Sequence, residues 1–340
     1  MLHASTPVSS VQARLRRQLK TPRYVAALND PVSRAGVRDL VPKQILPPRL
    51  GIGRQTEAWV SAELSERGVA QVVILVDQPL FVHTAERLRR TFGPETLIIY
   101  RPTDIHPRGA LARAEHRLIQ VADAVIATSQ ITLDTVLKQT DARPGLRTFV
   151  LENGVDCAMF ESIELSANER CGFVYVGAID DRFDWDAVIA IANAYPQEKI
   201  TLVGPVTVGR NSLPPNVLCT GAVPYLETPG VLSRARVGLL PFNSNSLNAG
   251  RSPMKFYEYL SAGLAVAGTR TSELKNRDAP RVWLWDHEEN PADQAGRALA
   301  DVWSSAGVRH ARAFDWHARS RDLMAIIDDV YDSQLGRRHP

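Results

Sequence analysis

Short apolar runs alternate with longer stretches of mixed polarity along nearly the whole chain. In the first half the runs are RYVAAL (23–28), QVVILVD (71–77), TLIIYRP (96–102), ADAVIATS (122–129) and RTFVLEN (147–153). They are β-branched, almost continuous in apolar character and bounded by polar turns, which is how parallel strands buried on both faces read. Between them, residues 54–67, 83–92, 109–121 and 130–139 carry helical spacing. The second half repeats the pattern, with strands predicted at GFVYVGAI (172–179), KITLVGP (199–205), NVLCTG (216–221), VGLLPF (237–242), LAVAGT (264–269) and RVWLW (281–285).

So many strands, with helices between most of them, exceed one compact unit. The expected architecture is α/β: two Rossmann-like doubly wound domains facing a cleft. The expected division is an acceptor-binding domain over 1–153, a linker over 154–170, a nucleotide-sugar-binding domain over 171–310, and a C-terminal helix over 311–340 packing back toward the first domain. The first domain reads as truncated at its N-terminus. The helical stretch SSVQARLRRQLK precedes the first clear strand, and only MLHAST stands before it, where a doubly wound domain usually opens on a strand. Residues 311–336 form one long helical pattern, kinked near Trp316, with Leu323, Ile326, Ile327 and Val330 as its apolar stripe and Phe314 extending it.

Composition narrows the class. The 340 residues are 44% hydrophobic and 23% charged, in the range of soluble globular proteins. No run of about 18 apolar residues occurs, and the N-terminus shows no apolar signal-peptide core. Cys157, Cys171 and Cys219 have neither metal nor disulfide spacing, which fits a reducing cytoplasm. The net charge of +3 conceals an asymmetry: residues 1–150 hold 21 Lys+Arg against 13 Asp+Glu, and the remainder 19 against 24. A basic first half and an acidic second half predict different partners, the basic one facing nucleic acid, anionic lipid or a phosphorylated acceptor, or simply solvent.

Ligands of open parallel sheets bind outside the carboxyl ends of the strands, so the loops after VYVGAI, TLVGP and GLLPF carry the chemistry. The third leads into SPMKFYEYLSAG (252–263), where Pro253 in the first turn leaves free amide donors at a positive dipole end. Lys255 adds a point charge there. Glu258, one turn on, can accept from two neighbouring ribose hydroxyls. The plain alternative is a solvated i,i+3 ion pair; the position at the strand ends favours nucleotide. In DDRFD, Asp184 reads as a helix cap and Arg182 as a residue that reaches donor phosphates, in preference to a metal site. Gly177 precedes this loop, and Asn248 and Ser252 belong to the one before Lys255.

YRPTD, ADAVIATSQ, ENGVDCAMF, YVGAIDDRFD and LLPFNSNSLNAGRSPMKFYEYLSAGLAVAGT, in this order along the chain, resemble the GT-B-fold glycosyltransferases, nearest to the bacterial glucuronosyltransferases of xanthan-type and teichuronic-acid-type polysaccharides. The resemblance covers about residues 68–330. It implies an inverting, metal-independent transfer from a UDP-sugar, with no cofactor, to a glycan or polyprenyl-diphosphate-linked acceptor. By the same resemblance Met254 packs near uracil, Lys255 contacts the diphosphate and Glu258 takes the ribose or base edge. The paired glutamates of many retaining relatives are not intact, since Gly250 stands eight residues before Glu258. Inverting transfer needs a base for the acceptor hydroxyl. Asp104, just after a strand, matches the family position; His106 is the second candidate, and the alternative for Asp104 is a cap on the following helix. Arg101 is expected to position the carboxylate or an acceptor phosphate.

The expected protein is thus a cytoplasmic glycosyltransferase, with no nucleic-acid partner. Arg14, Arg16, Arg17, Lys20 and Arg23, interleaved with Val11, Leu15 and Leu19, offer a basic face to an anionic membrane on the inner side of the plasma membrane, or a solvated helix. Two rivals stand beside it: a sugar-nucleotide epimerase or phosphorylase on the same fold, and a catalytically degenerate partner subunit.

Overall fold

The computed structural model of the chain describes residues 2–4, 32–34, 37–40, 60–62, 64–66, 71–161, 170–251 and 253–338. The basic stretch from Arg14 to Arg23, the predicted strand at 23–28 and Ser252 lie outside these residues. The chain divides into two compact units. The first comprises Met1–Ala127, Leu133–Phe149 and Asp329–Pro340, and the second Thr128–Thr132 and Val150–Asp328. Among the described residues no helix is long and apolar enough to cross a membrane.

The first unit holds two sheets. Three short strands, β1 (Leu2–Ala4), β2 (Val32–Arg34) and β3 (Val37–Leu40), pair in the order β1-β3-β2, with β1 parallel and β2 antiparallel to β3. The sequence pattern misses β2 and β3, because VSR and VRDL contain no apolar run. The larger sheet has the order β4-β5-β6-β7, from Val73–Val76, Leu97–Tyr100, Ala124–Ala127 and Arg147–Val150. Helices α1 (Val82–Phe92), α2 (Gly109–Val121) and α3 (Gln130–Thr140) connect its strands. Every residue of β5 and β6 is buried, as the continuous apolar runs predict. Within this unit the end of the chain is tied by Arg147 to the Asp329 carbonyl at 2.8 Å and by Gln334 to Asp123 at 2.5 Å.

The second unit begins with the short helix α4 (Cys157–Glu161) and carries six strands. These are β8 (Phe173–Val176), β9 (Ile200–Val203), β10 (Val217–Gly221), β11 (Val237–Leu240), β12 (Ala265–Thr269) and β13 (Val282–Trp285). They form one wholly parallel sheet in the order β10-β9-β8-β11-β12-β13. The order reverses between β8 and β11, so this unit has the doubly wound topology with its switch point there. Alternate strand residues serve two cores. Phe173, Tyr175, Leu202, Leu239 and Ala267 pack with helices α5 (Trp185–Ala194) and α8 (Pro291–Ala300). On the other face, Val174, Val203, Leu240 and Val266 pack with α4, α6 (Thr228–Leu232), α7 (Met254–Ser261) and α9 (Ala306–Arg312).

The switch point fixes how α7 sits. β8 and β11 pair only through Phe173–Val237 and Val174–Gly238, whereas β8 and β9 continue to Val176–Val203. The next amide, Gly177 N–H, turns to β9 and donates to the Val203 carbonyl at 2.8 Å. Strand amides alternate sides, so Val176 N–H faces β11 where that ladder has already ended. The Tyr259 hydroxyl of α7 accepts it at 2.9 Å. An orphaned buried amide would cost about 1–3 kcal/mol. Tyr259 reaches it because residue 238 is glycine: a Cβ there would stand 2.2 Å from the Tyr259 ring.

The C-terminal helical pattern is two helices, α9 and α10 (Trp316–Arg338), broken over 313–315. The break has a backbone cause. Val155 N–H donates to the Phe314 carbonyl and Trp316 N–H to the Val155 carbonyl, both at 3.0 Å, so this segment bonds to a neighbouring chain segment as a strand would. Gly154 permits the approach, since a Cβ there would lie 2.8 Å from the Trp316 ring.

Candidate functional site

The loops leaving β8 and β11 are laced together. Phe183 and Phe242 form an antiparallel bridge, Asp184 N–H donates to the Pro241 carbonyl at 2.9 Å, and Asn243 N–H to the Arg182 carbonyl at 3.1 Å. Asn248, 2% exposed, donates through Nδ2 to the carbonyls of Arg182 and Asn243, each at 3.0 Å. Those acceptors fix the amide's orientation, and among the described residues its Oδ1 has no hydrogen-bond partner. Two of the three DDRFD aspartates are spoken for. Asp180 holds Arg182 in a two-pronged ion pair of 3.1 and 2.5 Å, and Asp184 caps α5 by accepting from Ala187 N–H at 2.9 Å. Burial alone would raise the Asp180 carboxyl, but the Arg182 guanidinium and backbone N–H outweigh it and hold it low. Among the described residues no three His, Cys, Asp or Glu side chains come together as a metal ion would need.

Helix α7 starts one residue later than its proline suggests: Pro253 is the buried N-cap, Met254 is 45% exposed at the first helical position, and Lys255 is the second. The Lys255 side chain runs back to the end of β8. Its Nζ lies 5.0 Å from the centre of the Tyr175 ring, and a Cβ on Gly177 would stand 2.4 Å from it. Gly177 has φ +150°, a conformation L side chains rarely adopt, so glycine is required twice over. Burial pushes the Lys255 ammonium down to about 8, helped by Arg251 and Arg182 and opposed by Glu258 and Asp180. Three cations thus act on one another at this point, and the carboxylates of Asp180 and Glu258 offset only part of their repulsion. The Arg251 guanidinium is itself held over the Phe242 ring, 5.2 Å from its centre.

Glu258 is 7% exposed and accepts from the Tyr225 hydroxyl at 3.2 Å. Burial raises its carboxyl; Tyr225 and Lys255 partly offset this. Tyr225, just after β10, is 52% exposed, with its ring edge-on to Phe160. Lys255 and Glu258 therefore do not form a solvated ion pair: each is drawn into the fold by other partners.

In the first unit, Asp104 is exposed and His106 half-buried in the segment after β5. Asp104 does not cap the next helix, whose N-cap is Arg108. Burial pushes the His106 imidazolium down, and Asp104 works against that. Arg101 is half-buried, and its N–H extends the sheet by donating to the Val76 carbonyl at 2.8 Å. Beneath them Glu115 of α2, 1% exposed, accepts from the buried Tyr100 hydroxyl. Burial pushes its carboxyl up to about 7 against the pull of that bond.

The fold matches solved structures over nearly the whole chain. Anabaena Alr3699/HepE in complex with UDP and glucose superposes with a TM-score of 0.67 over 96% of this chain and 91% of that one, at 14% identity. The chain has the GT-B fold. The UDP-glucose complex of the same Anabaena protein gives 0.64 over 96% and 98% at 14% identity, and the lipopolysaccharide outer core galactosyltransferase WaaB in its apo form 0.61 over 96% and 98% at 12% identity. In sequence the chain is 26% identical over 238 residues to TuaH of Bacillus subtilis (strain 168), assigned by name to teichuronic acid biosynthesis as a glycosyltransferase. The match spans 64% of this chain and 59% of TuaH. No protein-family model matches the sequence.

Within this GT-B chain the second unit brings Gly177, Arg182, Asn248, Met254, Lys255 and Glu258 to the two switch-point loops and α7, while Asp104 and His106 belong to the first unit. Ser252 lies outside the described residues. Sequence reasoning overlooks Arg251, Tyr225 and Tyr259. Arg251 stands between glycine and serine in an irregular loop and has no periodic signal. Tyr225 comes from a loop 33 residues before Glu258, its hydrogen-bond partner. Tyr259 was legible only as an apolar helix position. At Gly250, where many retaining relatives carry an acid, the carbonyl accepts from the hydroxyls of Ser129 at 2.8 Å and Thr132 at 3.1 Å.

Proposed function

We propose that this chain is a glycosyltransferase that moves a sugar from a UDP-sugar, glucuronic acid being the sugar the family resemblance points to, onto a glycan or polyprenyl-diphosphate-linked acceptor. One observation carries the reading: Lys255, Arg251 and Arg182 converge at the switch point of a parallel sheet, beside a glycine whose missing side chain leaves the ammonium room. Such a place suits a diphosphate. The UDP and UDP-glucose complexes of the Anabaena protein support the choice of nucleotide, and TuaH supports the polysaccharide class.

In this reading Lys255, Arg182 and Arg251 take the diphosphate, with Gly177 allowing its close approach. Glu258 exchanges the Tyr225 hydroxyl for the ribose hydroxyls. Met254 packs on uracil, and Asn248 and Ser252 shape the loop that faces the donor sugar. The acceptor hydroxyl oxygen attacks the anomeric carbon, its proton passes to the Asp104 carboxylate, and the bond to the β-phosphate oxygen breaks with inversion. The leaving UDP carries away negative charge, which the three cations stabilise without a metal ion. His106 stands beside the base, and Arg101 serves an acceptor phosphate. The basic N-terminal stretch holds the chain to the anionic inner face of the plasma membrane.

The test is release of UDP from a panel of UDP-sugars, including UDP-glucose and UDP-glucuronic acid, with and without a lipid-linked acceptor and with and without EDTA. One UDP-sugar should be turned over, EDTA should change little, and NMR of the product should show an inverted anomeric centre. Failure of the intact chain to bind or cleave any UDP-sugar would sink the proposal; strong Mn²⁺ dependence would overturn its metal-free step.

A further inference from the structure

We infer that Tyr259 is a positioning residue for donor binding: its hydroxyl, seated where β8 and β11 part, fixes the register of α7 so that Lys255 meets the end of β8. The inference rests on the donor-site reading above and names a residue that touches no ligand.

The geometry is a lever with three fixed points. At the far end the Tyr259 ring lies over Gly238, where a Cβ would be 2.2 Å away, so no other residue type allows this depth. In the middle the hydroxyl accepts from Val176 N–H at 2.9 Å, taking the place of the β11 carbonyl that the splayed ladder no longer supplies. At the near end, one helical turn back on the same face, Lys255 reaches Gly177, the residue directly after Val176. Tyr259 is wholly buried, and the two targets, Val176 and Gly177, are neighbours in the chain, as Tyr259 and Lys255 are on one face of α7. A helix held by apolar contacts alone slides and rotates at little cost. A single hydrogen bond to a strand amide defines its register, and a shift of one residue would swing Lys255 away from Gly177 by about 100° around the helix axis.

The experiment is a double-mutant cycle in UDP affinity between Tyr259→Phe and Lys255→Met in the full chain, by calorimetry. Tyr259→Phe keeps the ring and removes the pin. It should weaken UDP by about three- to tenfold in the wild-type background. In the Lys255→Met background it should weaken UDP by less than about twofold, since the residue it acts through is gone. The pH dependence of UDP-glucose binding should move with it, its midpoint rising from near 8 toward that of an ordinary lysine. A merely structural role would lower the melting temperature and leave that midpoint in place. Effects of the two substitutions that add in full, or an unchanged midpoint, overturn the inference. If Lys255→Met alone leaves UDP affinity untouched, the donor-site reading fails, and the inference with it; a Lys255 effect with full additivity sinks the pin and spares the reading. Amide exchange in the unaltered chain gives an independent check. Val176 should be protected as strongly as Val174 although its ladder has ended, and fast exchange at Val176 would remove the pin regardless of how the variants fold.

Discussion

Replacing Lys255 by methionine removes one charge and keeps most of the apolar stem. The ammonium lies against Gly177 and the Tyr175 ring, where the proposed donor diphosphate would take a charge-assisted hydrogen bond from it. Such a bond contributes about 1.5–3 kcal/mol, so UDP-glucose affinity at pH 7 should fall about ten- to a hundredfold. The same residue should make wild-type binding depend on pH. In the free chain the amine is pushed down to about 8. Below that pH it is already charged and affinity is level; above it, binding must take up a proton. From pH 7 to pH 9 the charged fraction falls about tenfold, and affinity with it. The methionine variant should show a level profile. UDP-glucose is the better titrant, because neither phosphate of the sugar ester titrates in this range. Calorimetry at pH 7, 8 and 9 in buffers of different ionisation enthalpy reads both affinity and proton uptake. Parallel profiles in the two proteins, or equal affinity at pH 7, would refute the reasoning. Stability should move the other way. The folded amine lies below its ordinary 10.5, so the folded chain binds fewer protons between about 8 and 10.5. The penalty of holding the charge is full below pH 8 and fades as pH rises toward 10.5. Lys255→Met should therefore raise the melting temperature at pH 7, and the gain should shrink toward pH 10.

Gly177→Ala places a methyl group 2.4 Å from Lys255 Nζ at a backbone angle of +150°, so UDP affinity should fall at least about tenfold and the melting temperature with it; unchanged affinity in calorimetry would show that the ammonium is not held there. Asp104→Asn should cost about 10²–10⁴-fold in turnover with UDP affinity nearly unchanged, and near-wild-type turnover, measured beside His106→Gln, would move the base elsewhere. Glu115 is raised to about 7, so the folded chain binds an extra proton between its ordinary 4.5 and 7, and stability falls as pH rises through that window. The melting temperature of Glu115→Gln should gain on the wild type between pH 5 and 8; a constant gap would show that Glu115 does not titrate in the fold. Replacing Arg14, Arg16 and Arg17 by glutamine should weaken salt-sensitive binding to anionic vesicles, and sedimentation indifferent to both salt and substitution would refute the membrane role of that stretch.

The sequence by itself determined most of the central strands and, in β5, β6, β11 and β12, their burial on both faces; β4, β7 and β10 are partly exposed. Runs such as LIIY and AVIA are apolar at every position because a parallel strand has a core on both faces, and that requirement is written residue by residue. It also marked the loop proposed to hold the donor, since a proline, a lysine and a glutamate at helical spacing after a buried strand are local features. The charged strands at 32–34 and 37–40 were not legible, because they have no apolar run to announce them. The break before Trp316 was legible as a kink, but its cause was not, because it is set by backbone bonds to Val155, distant in sequence. The tertiary structure alone decided the strand order and so the switch point, because pairing partners are chosen by packing and not by adjacency. From that choice follow the orphaned amide of Val176, the glycine that admits Tyr259 to it, and the crowding of Arg251 and Arg182 on Lys255. A sequence lists these residues in separate segments; only the fold buries the lysine and brings the two arginines to it, which together lower its affinity for a proton.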